Sequence, residues 1–203
     1  MDVIFNDLPA LDVRPVAGLA DHLLDPLAYA DEPSCTYAAS AYVRKHGGPR
    51  TRELLQACLA HLGVAAALVT LRVHLRPPLS GFAGLGRWHT DRLQYLPQPV
   101  SQEACACRNR ASRTLFLLSG APCTEFLVQR YVSLPVFGKL LPDDVHTFVA
   151  DRVADGRLHA YACQPRQAVI CNATELHRAT TWPLDVQQRL LFRLSVFPQH
   201  DVA

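Results

Sequence analysis

Residues 158–197 read LHAYACQPRQAVICNATELHRATTWPLDVQQRLLFRLSVF, and this stretch contains four short apolar runs separated by polar and turn-forming residues. These runs are rich in apolar and β-branched residues and therefore predict strands. The predicted strands are Leu158–Gln164, Gln167–Asn172, His177–Thr181 and Arg189–Phe197. Strands this short and this closely spaced are typical of a sandwich or a small barrel.

The same pattern extends upstream to residue 65. Further strands are predicted at Ala65–Leu75, Gly86–Leu96, Arg113–Ser119 and Thr124–Val132. One helix interrupts them between Asp143 and Gly156, with Val145, Phe148, Val149 and Val153 on its buried side. We therefore predict a mainly β fold with flanking helices, in which residues 65–197 form a double-stranded β-helix, that is, a cupin-like jelly roll. A small barrel of this kind can enclose one ligand-sized cavity.

Residues 1–64 are predicted to form a helical and irregular part that packs on the barrel. Short helices are predicted at Gly18–Leu24 and Thr36–Lys45, between breaks made by prolines and by Gly47-Gly48-Pro49. A longer helix is predicted to start with Thr51 as its cap and to end at Gly63. Its buried stripe would consist of Leu54, Leu55, Cys58, Leu59 and Leu62.

Length and composition indicate one ordinary globular domain. The chain has 203 residues, of which 49% are hydrophobic and 19% are charged, and its net charge is only +2. So small a charge argues against nucleic acid and against a membrane surface as partners. The seven cysteines are odd in number and irregularly spaced, and the amino terminus lacks the basic and apolar runs of a signal peptide. We therefore expect reduced thiols and a cytoplasmic location, whereas the oligomeric state is not indicated.

The stretch Arg87-Trp88-His89-Thr90-Asp91 contains the first candidate metal ligands. Residues two apart on a strand share a face, so His89 and Asp91 could reach one metal ion. A second histidine, His177, would come from a different strand. Two imidazoles and one carboxylate can hold Fe(II) on one face and leave the opposite positions open. A His-x-Asp pair by itself is a weak motif, because it also arises by chance.

The order of these residues and the sequence around them resemble those of the 2-oxoglutarate- and Fe(II)-dependent dioxygenase superfamily. The resemblance covers residues 65–197 and includes ELHRA at 175–179 and QRLLFRLSV at 188–196. It implies that His89, Asp91 and His177 bind iron and that Arg189 binds the distal carboxylate of 2-oxoglutarate. It also implies an enzyme that uses O₂ to oxidise a C–H bond of a small molecule, with release of succinate and CO₂. No motif indicates the subfamily or the substrate.

Several alternatives remain open at this point. Arg193 shares a strand face with Arg189 and is a second candidate for the co-substrate, or a contact for the substrate. The protein could instead be a cupin-type metalloenzyme without 2-oxoglutarate, or a superfamily member that modifies nucleic acid or protein. The segment Leu96–Ser112 is a candidate lid or a plain connection, and its Cys105 and Cys107 are expected to be thiols rather than zinc ligands.

The neighbours of the candidate ligands are expected to take no part in the chemistry. Strand alternation predicts that Trp88 and Arg178 point away from the site. His74 is expected in the core or at the rim, and His146 and His159 at the surface.

Overall fold

The structure of the protein, a computed structural model, describes residues 4–9, 11–74, 86–89, 112–119, 124–133, 143–164, 166–172, 175–180 and 189–196. The strands in these ranges are β1 Ile4–Pro9, β2 Asp12–Pro15, β3 Cys35–Ala39, β4 Leu68–His74, β5 Arg113–Ser119, β6 Thr124–Leu127, β7 Gln129–Ser133, β8 Ala160–Ala162, β9 Gln167–Cys171, β10 His177–Ala179 and β11 Arg189–Val196. The helices are α1 Ser40–His46, α2 Pro49–Leu62 and α3 Asp143–Ala154, and 3₁₀ turns occur at Asp21–Leu24 and Pro26–Tyr29.

The strands form two main sheets and a separate ribbon. The large sheet has six strands in the order β2-β9-β5-β11-β4-β3, and the small sheet has three in the order β10-β6-β8. Strands β1 and β7 form the two-stranded ribbon. Every strand pair in the described ranges is antiparallel. The prediction of a mainly β, cupin-like jelly roll with flanking helices is confirmed.

Strand β11 shows how the large sheet separates two apolar layers. Its outward residues are buried against the helical layer, and these are Leu190, Phe192 and Leu194. On its inward face Leu191 packs beside Phe116, Phe126 and Val169, between the two sheets. Because residues two apart share a face, Arg189 and Arg193 flank Leu191 on the inward side. The sheet therefore presents two arginines to the interior of the jelly roll.

Helix α2 covers the outward face of the large sheet through the predicted stripe. Leu54, Leu55, Cys58, Leu59 and Leu62 are all buried in the same cluster as β11. Gly63 ends the helix with φ 66°, a left-handed conformation that favours glycine. Burial among these apolar side chains raises the pKa of the Cys58 thiol to about 12. Among the helices of the described ranges, none has the length and apolar character needed to cross a bilayer.

The amino-terminal part differs from its prediction, because residues 4–39 contribute strands rather than only helices and irregular chain. Strands β2 and β3 form the two edges of the large sheet. Only a 3₁₀ turn forms within the predicted helix Gly18–Leu24, and the first residues of the predicted helix Thr36–Lys45 belong to β3. Edge strands are short and have neighbours on one side only, so their sequences carry little apolar alternation.

The start of α2 also differs from its prediction. The helix begins at Pro49, one residue after its cap Gly48, and Thr51 lies in its first turn. Proline suits this position because its fixed φ is helical and it has no N–H to satisfy. The carboxylate of Glu32 accepts hydrogen bonds from the N–H groups of Arg50 and Thr51, both at 2.8 Å, and from the Thr51 hydroxyl. A side chain distant in sequence therefore caps the helix.

Replacing Glu32 with alanine is expected to lower the free energy of unfolding by about 1–3 kcal/mol, because the first turn of α2 loses the acceptor of its N–H groups. Chemical denaturation measures the loss. The matched control is Glu53→Ala on the same helix. Glu53 is exposed and pairs with His22 at 3.3 Å on the surface, where such pairs contribute about 0–1 kcal/mol. Equal losses in the two variants would contradict the capping role.

Candidate functional site

The backbones of His89 and His177 pair directly. The N–H of His89 donates to the carbonyl of His177 at 2.8 Å, and the N–H of His177 donates back to His89 at 2.9 Å. This antiparallel bridge places His89 beyond β10, at the edge of the small sheet. Residues directly opposite each other in such a pair project to the same face. The two imidazole rings accordingly lie with their centroids 4.4 Å apart.

Both rings are held by the same kind of hydrogen bond. Nδ1 of His89 lies 2.9 Å from the carbonyl oxygen of Arg87, and Nδ1 of His177 lies 3.2 Å from that of Glu175. Because a carbonyl oxygen only accepts, Nδ1 carries the proton in each case. In a neutral imidazole this puts the lone pair on Nε2. Metal-binding histidines are typically oriented in this way, with one nitrogen donating to a carbonyl and the other directed to the ion.

His177 lies on an aromatic floor between the two sheets. Its ring stacks on Phe126 at 5.5 Å and contacts Phe116 at 5.6 Å, measured between centroids. Phe126 comes from β6 of the small sheet, where it is the register partner of His177, and Phe116 comes from β5 of the large sheet. His177 is only 7% exposed. Packing from both sheets therefore fixes the position of this ring.

Two of the three predicted metal ligands are thus brought together. The third, Asp91, lies outside the described residues. Within the described part of the chain, no group of three histidine, cysteine, aspartate or glutamate side chains has the arrangement of a metal site. Of the three predicted ligands, the described residues therefore include the two histidines.

Arg189 reaches from the large sheet to the small one. It is buried, with 9% of its surface exposed, and its guanidinium donates to the hydroxyl of Thr124 at 3.3 Å. Thr124 is the register partner of Ala179, two residues beyond His177 on β10. Thr124 also precedes Phe126 by two residues on β6 and so shares its inward face. Arg189 is therefore close to the histidine pair, because Thr124 is the inward-facing neighbour of Phe126, the residue on which His177 stacks.

Arg193 lies further along the same inward face and is held differently. It is 7% exposed, and its guanidinium carbon lies 4.5 Å from the ring centroid of Tyr37 and 5.7 Å from that of Phe116. Phe116 is also its register partner on β5. Both arginines thus face the interior, as their spacing predicts, but Arg189 contacts a hydroxyl and Arg193 contacts aromatic rings.

The residues next to the histidines pack behind them, on the other face of the small sheet. The guanidinium of Arg178 lies 4.6 Å from the Trp88 ring centroid and pairs with Glu125 at 2.7 Å. Trp88 is fully buried in a cluster that includes Val149 of α3. Trp88 and Arg178 therefore point away from the site, as strand alternation predicts.

His146 differs from its prediction as a surface residue. It is half-buried, and its Nδ1 accepts the backbone N–H of Trp88 at 3.2 Å. The helix α3 turns this residue toward the small sheet, next to the chain that leads into His89. His159 is exposed, as expected.

Two functional candidates were missed in the sequence, namely Thr124 and Tyr37. Thr124 is recognisable only as the first residue of a predicted strand, and its contact with Arg189 spans 65 residues of sequence. Tyr37 lies in a segment predicted to be helical. Neither has a motif, because each acquires its role from register between strands that are distant in sequence.

Other predicted features lie outside the described residues. These are most of the candidate lid Leu96–Ser112, with Cys105 and Cys107, and the side chain of His74.

Comparison with known proteins gives two likenesses of overall chain path. The chain aligns with the non-heme alpha-ketoglutarate dependent carbocyclase SnoK from nogalamycin biosynthesis at 15% identity and a TM-score of 0.48, covering 93% of this chain and 79% of that one. It aligns with AviO1 from Streptomyces viridochromogenes Tue57 at 16% identity and a TM-score of 0.44, covering 97% and 92%. No protein-family model and no curated protein matches the chain.

Proposed function

We propose that the protein is an Fe(II)- and 2-oxoglutarate-dependent oxygenase that oxidises a C–H bond of a small molecule. The observation that carries this proposal is the pairing of His89 with His177. Their backbones are bonded to each other, their rings are 4.4 Å apart, and both rings hold Nδ1 against a carbonyl. Two such imidazoles and the carboxylate of Asp91 are the ligand set of a facial Fe(II) site.

The surroundings of the pair fit a bound ferrous ion. Imidazole nitrogens suit iron, and the hydrogen bonds at Nδ1 raise the basicity of the opposite nitrogen. The rings of Phe116 and Phe126 restrict water around His177 and keep its orientation. Fe(II) with 2-oxoglutarate supplies oxidative chemistry in which O₂ is consumed, 2-oxoglutarate becomes succinate and CO₂, and a substrate C–H bond becomes C–OH.

Arg189 and Thr124 are suited to hold the far carboxylate of 2-oxoglutarate. A guanidinium offers a planar fork of N–H donors that matches a carboxylate, and the hydroxyl of Thr124 adds one more donor. Their contact at 3.3 Å joins the large sheet to the small sheet. Thr124 is the inward-facing neighbour of Phe126, on which His177 stacks. In this role Arg189 would orient the co-substrate, and the two histidines with Asp91 would hold the iron.

Anaerobic titration with Fe(II) followed by 2-oxoglutarate tests the proposal. We expect a weak visible charge-transfer band that appears only when both are present, and release of succinate when O₂ is admitted. A protein that binds Fe(II) but gives neither the band nor succinate would contradict the use of 2-oxoglutarate and favour a cupin-type metalloenzyme. A protein that binds no Fe(II) would contradict the proposal altogether.

Replacing Asp91 with alanine is expected to abolish turnover, because two neutral imidazoles without a carboxylate hold Fe(II) weakly and leave its charge uncompensated. Succinate formation from 2-oxoglutarate under O₂ measures the effect. The control is Asp31→Ala at an exposed position far in sequence from all candidate ligands. Undiminished succinate formation by the Asp91 variant would remove this residue from the ligand set.

A further inference from the structure

Tyr37 has a backbone conformation that tyrosine rarely adopts. Its φ is 51°, and it lies where the pairing of β3 with β4 shifts register between Cys35 and Ala38. The hydroxyl of Thr70 on β4 accepts the N–H of Tyr37 at 3.2 Å and so stabilises this bulge. Bulges at sheet edges redirect side chains, and left-handed non-glycine residues are concentrated at functional sites. The bulge therefore determines where the ring of Tyr37 lies.

The Tyr37 ring lies over the guanidinium of Arg193. The ring comes from the edge strand β3 and lies 4.5 Å from the guanidinium, while Phe116 contacts the same guanidinium at 5.7 Å. A guanidinium carries its N–H donors in its plane. Along that edge it matches planar anions of carboxylate type.

Phe116 links this position to the histidine pair. Its ring centroid lies 5.6 Å from that of His177 and 5.7 Å from the guanidinium carbon of Arg193. Arg193 is thus one aromatic side chain away from the proposed metal ligand. Arg189 and Arg193, however, are four residues apart on one strand, which separates their Cα atoms by about 13 Å. The apolar side chain of Leu191 lies between them.

We propose that Arg193, framed by Tyr37 and Phe116, is the anchor for a carboxylate on the substrate, distinct from the 2-oxoglutarate anchor at Arg189. This inference rests on the proposed function, because it assumes a reaction at the histidine pair. It narrows the substrate class to small molecules that carry a carboxylate. The carboxylate lies at the Tyr37 edge of the large sheet, and the bond to be oxidised lies beyond Phe116, toward His177.

The test uses pairs of small monocarboxylic acids and their primary amides, added to the anaerobic complex of protein, Fe(II) and 2-oxoglutarate. Binding is followed by the rise in Tm and by the change in the visible band. In the wild-type protein at least one acid should bind about 10-fold or more tightly than its amide, because only the acid makes a charge-assisted pair with Arg193. Arg193→Gln should remove this preference and leave the affinity for 2-oxoglutarate within about 3-fold, since Arg189 is intact.

A second variant separates recognition from folding. Tyr37→Leu keeps Arg193 but removes the ring that orients it, so the preference for acids should fall while the charge-transfer band persists. Tyr42→Leu is the matched control, because Tyr42 is 59% exposed on α1. Its preference should equal that of the wild-type protein.

The outcomes distinguish the two proposals. If no acid is preferred over its amide by the wild-type protein, or if Arg193→Gln keeps the preference, the substrate anchor is refuted. If Arg193→Gln weakens 2-oxoglutarate binding as strongly as the loss of Arg189 does, Arg193 binds the co-substrate and the inference is likewise refuted. If the band is absent from the wild-type protein, the proposed function itself fails.

Discussion

Replacing His177 with glutamine is expected to lower the affinity for Fe(II) by more than about 100-fold, because loss of a group that merely supports a ligand already costs about 10–100-fold. Glutamine keeps the approximate size and polarity of histidine, so the ring contacts with Phe116 and Phe126 are partly replaced. Its amide lacks the imidazole nitrogen that binds iron well. Anaerobic titration with Fe(II) measures the affinity, and the charge-transfer band should vanish with it.

The control for this variant is His159→Gln, which changes an exposed histidine next to β8. It should bind Fe(II) as the wild-type protein does. Circular dichroism and thermal unfolding of the metal-free proteins show whether the His177 variant keeps its fold, since β10 and its bridge to His89 depend on backbone bonds that the substitution leaves in place. Unchanged Fe(II) affinity in a folded His177 variant would overturn the proposed ligand set.

The carboxyl-terminal strands could be predicted from the sequence because each is short, apolar and bounded by turn residues. Strand β11 is the clearest case. The spacing of Arg189 and Arg193 predicts that they share a face, and the structure buries both on the inward side of the large sheet. The sequence also predicts that His89 and His177 come from different strands that the fold brings together, but not that they are neighbours. In the structure they lie opposite each other at the edge of the small sheet, as backbone partners.

The amino-terminal strands could not be predicted in the same way. Strands β2 and β3 lie at the edges of the large sheet, where one side of the backbone is unpaired and the requirement for apolar residues is weaker. The start of β3 therefore reads as part of a helix. The position of Tyr37 depends on a register shift against β4, which is a property of two strands together and not of the local sequence.

The contact between Arg189 and Thr124 had no signal in the sequence for a similar reason. Threonine is common in strands, and its hydroxyl becomes part of the site only because β6 pairs with β10 in the observed register. The same register stacks Phe126 on His177. A one-residue slip of β6 would turn both side chains to the opposite face. Register between strands is thus the level of structure that completes the candidate site.

Replacing Arg189 with glutamine is expected to weaken 2-oxoglutarate binding by about 30-fold or more, because truncating one partner of a buried, hydrogen-bonded charge pair costs about 2–5 kcal/mol. Titration of the anaerobic Fe(II) protein with 2-oxoglutarate measures the shift, and the affinity for Fe(II) itself should be unchanged. Arg189→Lys should recover only part of the loss, since an ammonium keeps the charge without the planar fork.

Arg157→Gln supplies the comparison for this series, because Arg157 is exposed and pairs with Asp155 at 3.5 Å at the surface after α3. It should bind 2-oxoglutarate as the wild-type protein does. Full recovery of 2-oxoglutarate affinity by lysine would mean that Arg189 contributes charge alone. Unchanged affinity in the glutamine variant would mean that Arg189 does not bind the co-substrate. The expected order, wild type tighter than lysine and lysine tighter than glutamine, follows from a carboxylate held by two parallel N–H bonds beside the Thr124 hydroxyl.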